Sequence, residues 1–224
     1  GADLPRLSGP AEAAQPAPTS RRIAVAYLLL LQFGYSWAWA SSDVLRPLFR
    51  QLYGLSLAGV GSAYSAQVVG ALCGGLLVGR VQHHLGRRVT LALIGCGCGL
   101  ALAAGAVVTG LTGLLLQRVV LGLFMGAVFP ATIGLDLFPP GRRGRLASVI
   151  DATYFSAVVV LGWAAARWND ADWRLLFWPA GLIMILTGLA AFGLRIPAHP
   201  GHGASRAPRV AGLFAPALRR RTLA

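Results

Sequence analysis

Residues 79–91, Gly79-Arg-Val-Gln-His-His-Leu-Gly-Arg-Arg-Val-Thr-Leu91, are a short basic break between two long apolar runs. Residues 57–79 on one side and 89–117 on the other carry no charged side chain. Working outward, the same punctuation recurs: 23–42, 119–135 and 175–194 are uncharged, and 146–166 is broken only by Asp151. Each run approaches the roughly 20 residues that a helix needs to cross a hydrocarbon core about 30 Å thick. The runs do not alternate apolar and polar residues. In lipid, where every backbone N–H and C=O must be satisfied within the segment, they therefore read as helices.

Composition agrees. Of 224 residues, 56% are hydrophobic and 12% charged, against roughly 25% charged in soluble domains. So few charges cannot coat a water-soluble globule of this size, which leaves lipid as the solvent. Dividing 89–117 at the turn-forming cluster Thr109–Gly113 predicts six spans, at 23–45, 57–81, 89–109, 114–137, 146–167 and 173–195. Residues 1–20 read as a disordered Ala/Pro-rich arm without a signal peptide's core. Residues 21–196 form the transmembrane domain. Residues 197–224 form a tail whose Val210, Leu213, Phe214, Ala217 and Leu218 suggest a short interfacial helix.

The net charge of +13 raises nucleic acid as a partner, but its distribution argues against one. Arg6, Arg21, Arg22, Arg80, Arg87, Arg88, Arg142, Arg143, Arg145 and six tail arginines fall on one side of the six-span arrangement. Arg46, Arg50, Arg167 and Arg174 fall on the other, and Arg118 lies inside a span. Arginine excess in short loops marks the cytoplasmic face, so both termini are expected in the cytoplasm and the protein in the plasma (inner) membrane, facing anionic lipid.

Periodicity singles out two stripes. In the first span Gln32, Ser36, Trp39, Asp43 and Arg46 recur every three to four residues; in the fourth, Arg118, Met125, Thr132 and Asp136 do the same. Charges inside a span cost about 2.5–3.5 kcal/mol near its centre, so they are expected to face a pathway or one another. Asp43 and Arg118 fall at similar depth and are expected to pair, with protonation or a polar solute breaking the pair. Tyr35, Trp37 and Trp39 supply stacking faces for a sugar or a cation, or anchor the interface. Asp136 and Asp151 lie within reach of the inner arginines, as a cytoplasmic gate. His83 and His84 are read as solvated loop residues. Gly70/Gly74, Gly75/Gly79 and Gly122/Gly126 have the spacing of close helix packing.

Cys73, Cys96 and Cys98 all fall within spans and read as small packing residues, with no metal or other cofactor implied. Enzymatic hydrolysis needs a nucleophile beside a base at membrane depth. Ser36, Ser65 and Ser156 have no such partner, because His83, His84, His199 and His202 lie in loops or tail.

The basic break resembles the loop between helices two and three of the major facilitator superfamily, G-x-L-x-D-R-x-G-R-R-x-x-L, with Gly79, Gly86, Arg87, Arg88 and Leu91 in register. Arg118 with Gly122 and Gly126 resembles the R-x-x-x-G signature of the fourth helix. Phe138-Pro-Pro-Gly-Arg-Arg-Gly-Arg145 resembles the following loop, and Trp173-Arg-Leu-Leu-Phe177 the start of the sixth helix. His83 and His84 replace the motif's Asp and Arg, and the fifth helix lacks G-x-x-x-G-P. The resemblance implies a six-helix half of a transporter with helices one and four lining the path. Members usually carry two such halves, related by an axis along the membrane normal, which rock around a midplane site. The expected function is alternating-access transport of a small polar solute (a sugar, an organic anion or a drug-like molecule), with proton symport. The second half would come from self-association as a parallel homodimer, or from the remainder of a longer transporter of which the chain is a piece. A non-transporting membrane subunit is the remaining alternative.

Overall fold

The computed structural model describes residues 18–126, 140–168 and 172–194, and these are helical with short connections. Helix α1 is Pro18–Val44, α2 Arg46–Tyr53, α3 Leu57–Ala104, α4 Gly110–Gly126, α5 Pro140–Trp168 and α6 Trp178–Ala190. Single 3₁₀ turns, Trp173–Leu176 and Ala191–Gly193, flank α6. Four segments are long and apolar enough to cross a membrane: Arg22–Val44, Leu57–Gly86, Gly144–Trp168 and Trp173–Gly193. Arg88–Ala104 and Gly110–Gly126 are shorter apolar helices.

The basic break turns out to be helical rather than a loop. One residue, Gly86 (φ 76°, ψ 164°), interrupts α3 and divides it into an N-terminal arm, Leu57–Gly86, and a C-terminal arm, Arg88–Ala104. Only glycine adopts that backbone without steric cost, which is why a helix of 48 residues breaks at this point. Ser56 caps its start, its Oγ accepting from the Gly59 N–H at 3.1 Å.

Other boundaries differ from the sequence expectation. The connection expected at 109–113 occupies 105–109, and α4 starts at Gly110 (φ 69°). Here β-branched Val107, Val108 and Thr109 leave the helix, while Leu111–Gly113 propagate the next one. Helix α1 begins at Pro18, inside the stretch expected to be a disordered arm, because proline fits a helix's first turn. Helix α2 was not expected. Pro47 lacks an N–H and its ring would meet the carbonyl four residues back, so α1 cannot continue through it and a separate helix starts instead. Residues 1–17 and the tail 195–224 lie outside the described residues.

Two glycine seams build the bundle. In the first, a Cβ on Gly70 or Gly74 would collide with the backbone of Val119 or Leu123, and one on Gly122 or Gly126 with that of Gln67 or Ala71, so the N-terminal arm of α3 lies directly against α4. In the second, the C-terminal arm meets α6: a Cβ on Gly99 would come 2.6 Å from the Gly181 carbonyl oxygen, and one on Gly188 2.6 Å from the Cys96 nitrogen. Two of the three expected glycine pairs are therefore used. Gly75 makes only ordinary contact and Gly79 faces open space. Helix α1 packs across α5, α6 and α3, with Leu28, Leu31, Ala38, Leu161 and Met184 buried in the shared core.

Candidate functional site

Arg118, on α4, is 1% exposed. Its Nη1 donates to Ser41 Oγ (2.8 Å) and Ser42 Oγ (2.9 Å) on α1 and to Gln67 Oε1 (3.2 Å) on α3. The Ser42 hydroxyl donates to the same Gln67 oxygen, Ser41 Oγ donates to the Ala38 carbonyl (2.7 Å), and Gln67 Nε2 reaches Met125 Sδ at 3.3 Å. On another side the guanidinium carbon sits 5.2 Å from the centroid of the Phe49 ring. Two donors remain: Arg118 Nε and Nη2 are buried without a hydrogen-bond partner among the described residues. Leaving such a group unsatisfied costs about 1–3 kcal/mol, more for a charged one.

The glycines explain how α3 supplies this site. Gly122 lies against the Gln67 carbonyl, so the close approach that excludes any side chain there brings Gln67 within reach of Arg118, one turn away on α4.

The expected Asp43–Arg118 pair is not formed. Asp43 bonds Arg46 three residues on, with the two side chains 45% and 43% exposed, so water and a local partner satisfy a carboxylate at a helix end more cheaply than burial beside Arg118 does. Arg46 also lies over Tyr64, 5.7 Å from its centroid, and Tyr64 meets Trp39 edge-on at 6.0 Å. Gln32 and Ser36 of the first stripe are buried and bond to each other (3.2 Å), away from Arg118's partners. Tyr35 and Trp39 are half-buried. Of the second stripe, Arg118 and Met125 do meet, through Gln67; Thr132 and Asp136 lie outside the described residues.

Among the described residues no side-chain hydrogen bond or ion pair joins the members of the expected gate, while Asp136 and the Arg87 side chain lie outside the described residues. Gly79, His83, Gly86, Arg88 and Asp151 are exposed, and among the described residues the ion pair is Asp43–Arg46. His83 and His84 lie edge to face at 5.3 Å. What Gly86 contributes is the break itself, with Thr90 Oγ1 donating to its carbonyl at 2.8 Å. Cys73, read as a packing residue, is exposed; Cys96 is partly buried and Cys98 fully so.

Sequence reasoning missed Ser41, Ser42, Gln67 and Phe49. Gln67 had a readable signal, a long polar side chain in an otherwise apolar span, whereas serines are too common in spans to mark a site.

At the end of the bundle remote from Gly86, side chains collect carbonyls of the 105–109 connection and of the Trp173–Leu176 turn. Tyr53 Oη donates to Val108 O (2.8 Å), Arg174 Nε to Ala106 O (3.2 Å) and Trp37 Nε1 to Leu176 O (3.0 Å). Burial pushes the Tyr53 phenol above its ordinary pKa, opposed by Arg174 and Arg118.

Long apolar helices, glycine seams and a buried cationic centre define a polytopic helical membrane protein built around a polar site. The Major Facilitator Superfamily model matches residues 28–223, and the chain belongs to that family. It is 28% identical to the gallate transporter of Pseudomonas putida over 164 residues, 72% of this chain and 36% of that one. It is likewise 28% identical to the 3-(3-hydroxy-phenyl)propionate transporter of Escherichia coli over 180 residues, 77% and 44% of the two chains. Among solved structures, the xylose transporter XylE of E. coli in its inward-open conformation shares the fold at a TM-score of 0.61, with 20% identity over 81% of this chain and 49% of that one. A bacterial homologue of the human lysosomal transporter Spinster, inward-facing, does so at 0.62, with 17% identity over 87% and 47%. The chain thus spans under half the length of these two curated relatives. Both relatives are named as transporters.

Proposed function

We propose that the chain is one six-span half of a solute transporter, both termini cytoplasmic in the plasma membrane, that anchors the anionic group of a small organic solute at Arg118. The observation that carries this reading is the buried guanidinium with Nη1 fully engaged and Nε and Nη2 without partners among the described residues. A planar fork of donors held in place by one of its own nitrogens suits a carboxylate, which takes two parallel N–H bonds. Gallate and 3-(3-hydroxy-phenyl)propionate, the solutes for which two relatives are named, are both aromatic carboxylates, which favours an organic anion over a sugar or a cation. The test is equilibrium binding of gallate to the purified protein. Wild type should bind, Arg118→Lys should lose tenfold or more and Arg118→Leu should not bind; equal binding by all three overturns the reading.

Alternating access requires a second body of the same orientation. A second copy supplies it as a parallel homodimer, with the arginine-rich ends of both copies on the cytoplasmic side. Asp43, exposed beside Ser42 and bonded to Arg46, is the proton-carrying group of the symport: neutralising it frees Arg46 and changes the field at Arg118. Molar mass in lipid nanodiscs tests the dimer. A persistent monomer instead favours a companion half, a reading supported by the match to under half of each of these relatives' length.

A further inference from the structure

Helix α2 is eight residues long and flanked by two breaks. Leu45 (φ −91°, ψ 10°) leaves the helical region before it, and Gly54 (φ 61°, ψ 31°) stands in the left-handed region after it, its N–H returning to the Arg50 carbonyl. The helix is strongly two-faced. Leu48 and Phe49 are buried, while Pro47, Arg50 and Gln51 are exposed. Of these, Phe49 covers Arg118, and the same ring lies 6.2 Å from Phe177 and 6.2 Å, stacked, from Tyr53. One hydrogen bond, Tyr53 Oη to Val108 O, ties the far end of α2 to the α3–α4 turn.

From this we infer that α2 is a hinged plug, with Phe49 its stopper, that opens and closes access to Arg118 from the end of the bundle where α2 lies. The hinges are Leu45 and Gly54, and the latch is the Tyr53–Val108 bond. With the plug seated, an aromatic face stands beside the guanidinium, a cation–π contact that holds the charge without using the directional capacity of Nε and Nη2. With the plug withdrawn, those two N–H groups meet water or an arriving anion. The eight-residue length suits the task. Two turns of helix move as one body, and the glycine at its end absorbs a backbone change that other residues resist. This route of entry rests on Arg118 as the solute anchor, but its test needs no solute, so the two ideas fail separately.

The experiment is thiol labelling of Ser41→Cys in the full chain, reconstituted in liposomes, after Cys73, Cys96 and Cys98 are changed to Ala or Ser. A membrane-impermeant maleimide is applied to each side in turn. Labelling from the α2 side should be slow with the plug intact, about tenfold faster with Phe49→Ala, and slow again with Phe49→Leu, which refills the space. Tyr53→Phe, which cuts the latch while leaving the buried ring, should accelerate labelling several-fold and serves in place of Phe49→Ala if that variant does not insert. A reporter cysteine at Leu85, beside the Gly86 break, should label at the same rate in every variant. Equal Ser41→Cys labelling in the wild type and both loosened variants overturns the plug, as does acceleration that appears equally at Leu85→Cys.

Discussion

The two arms of α3 use the same packing device for different ends. Each lies against a partner helix through reciprocal glycines, Gly70 and Gly74 with Gly122 and Gly126 on one arm, Gly95 and Gly99 with Gly181 and Gly188 on the other. Across the second seam the side-chain hydrogen bond among the described residues is a long one, Cys96 Sγ to the Ile185 carbonyl at 3.7 Å. Across the first, Gln67 joins Arg118 and Met125 and shares the load with two serines of α1. Close backbone approach is therefore a scaffold property, present in both. The polar cluster arises where that approach brings long polar side chains from facing helices to a common point, and among the described residues this happens at the seam with α4.

Breaking either seam should have the largest effect. Gly74→Val and Gly188→Val each place side-chain atoms into facing backbone that cannot move aside as a flexible side chain would. Each should cost at least about 3 kcal/mol, the upper end for overpacking, and be read as lost monodisperse protein and a lowered Tm in detergent. A Gly74→Ala protein with a wild-type Tm would mean that the seam is not close-packed.

Arg118→Leu should separate stability from function. Because it removes a buried charge with two unpartnered donors, its Tm should match or exceed that of wild type while anion binding disappears. A collapse in Tm comparable to that of the seam variants would make Arg118 structural and erase the contrast. Gln67→Leu should fall between, losing about 1–2 kcal/mol through one hydrogen-bond acceptor and weakening anion binding several-fold, while Cys96→Ala in the second seam should leave binding unchanged.

A small loss of stability is expected from Asp43→Asn, under about 1 kcal/mol because the pair with Arg46 is exposed and screened. Its uptake profile should nonetheless flatten with pH. Uptake with the full wild-type pH dependence would remove Asp43 from the proton path.

The helical class, the membrane solvent and the family were legible because each depends on local, repeated features: the length of uncharged runs, and the register of Gly79, Gly86, Arg87 and Arg88 around one break. Glycine spacing revealed half of the packing scheme. Gly70/Gly74 and Gly122/Gly126 were readable because both members of each pair lie on one helix, but which helix each pair faces is a property of neither. Boundaries slipped where a single residue decides them. Thr109–Gly113 contains several turn formers, and it is Gly110, with its positive φ, that opens the next helix, as Pro47 starts the separate α2.

Arg118 is legible in the sequence because a charge within an apolar run is costly wherever it points, and that cost can be read from one dimension. Its partners could not be. Depth along a helix suggested Asp43, but pairing depends on which face each helix turns toward the next. The backbone contact of Gly122 with Gln67 rotates α3 so that an uncharged amide and two serines reach the guanidinium first, leaving the carboxylate to Arg46 and water. Solvent, segment length and the presence of a buried cation are written along the chain, since each is set residue by residue. The cation's ligands, its Phe49 cover and its two free donors arise only when helices distant in sequence settle into van der Waals contact.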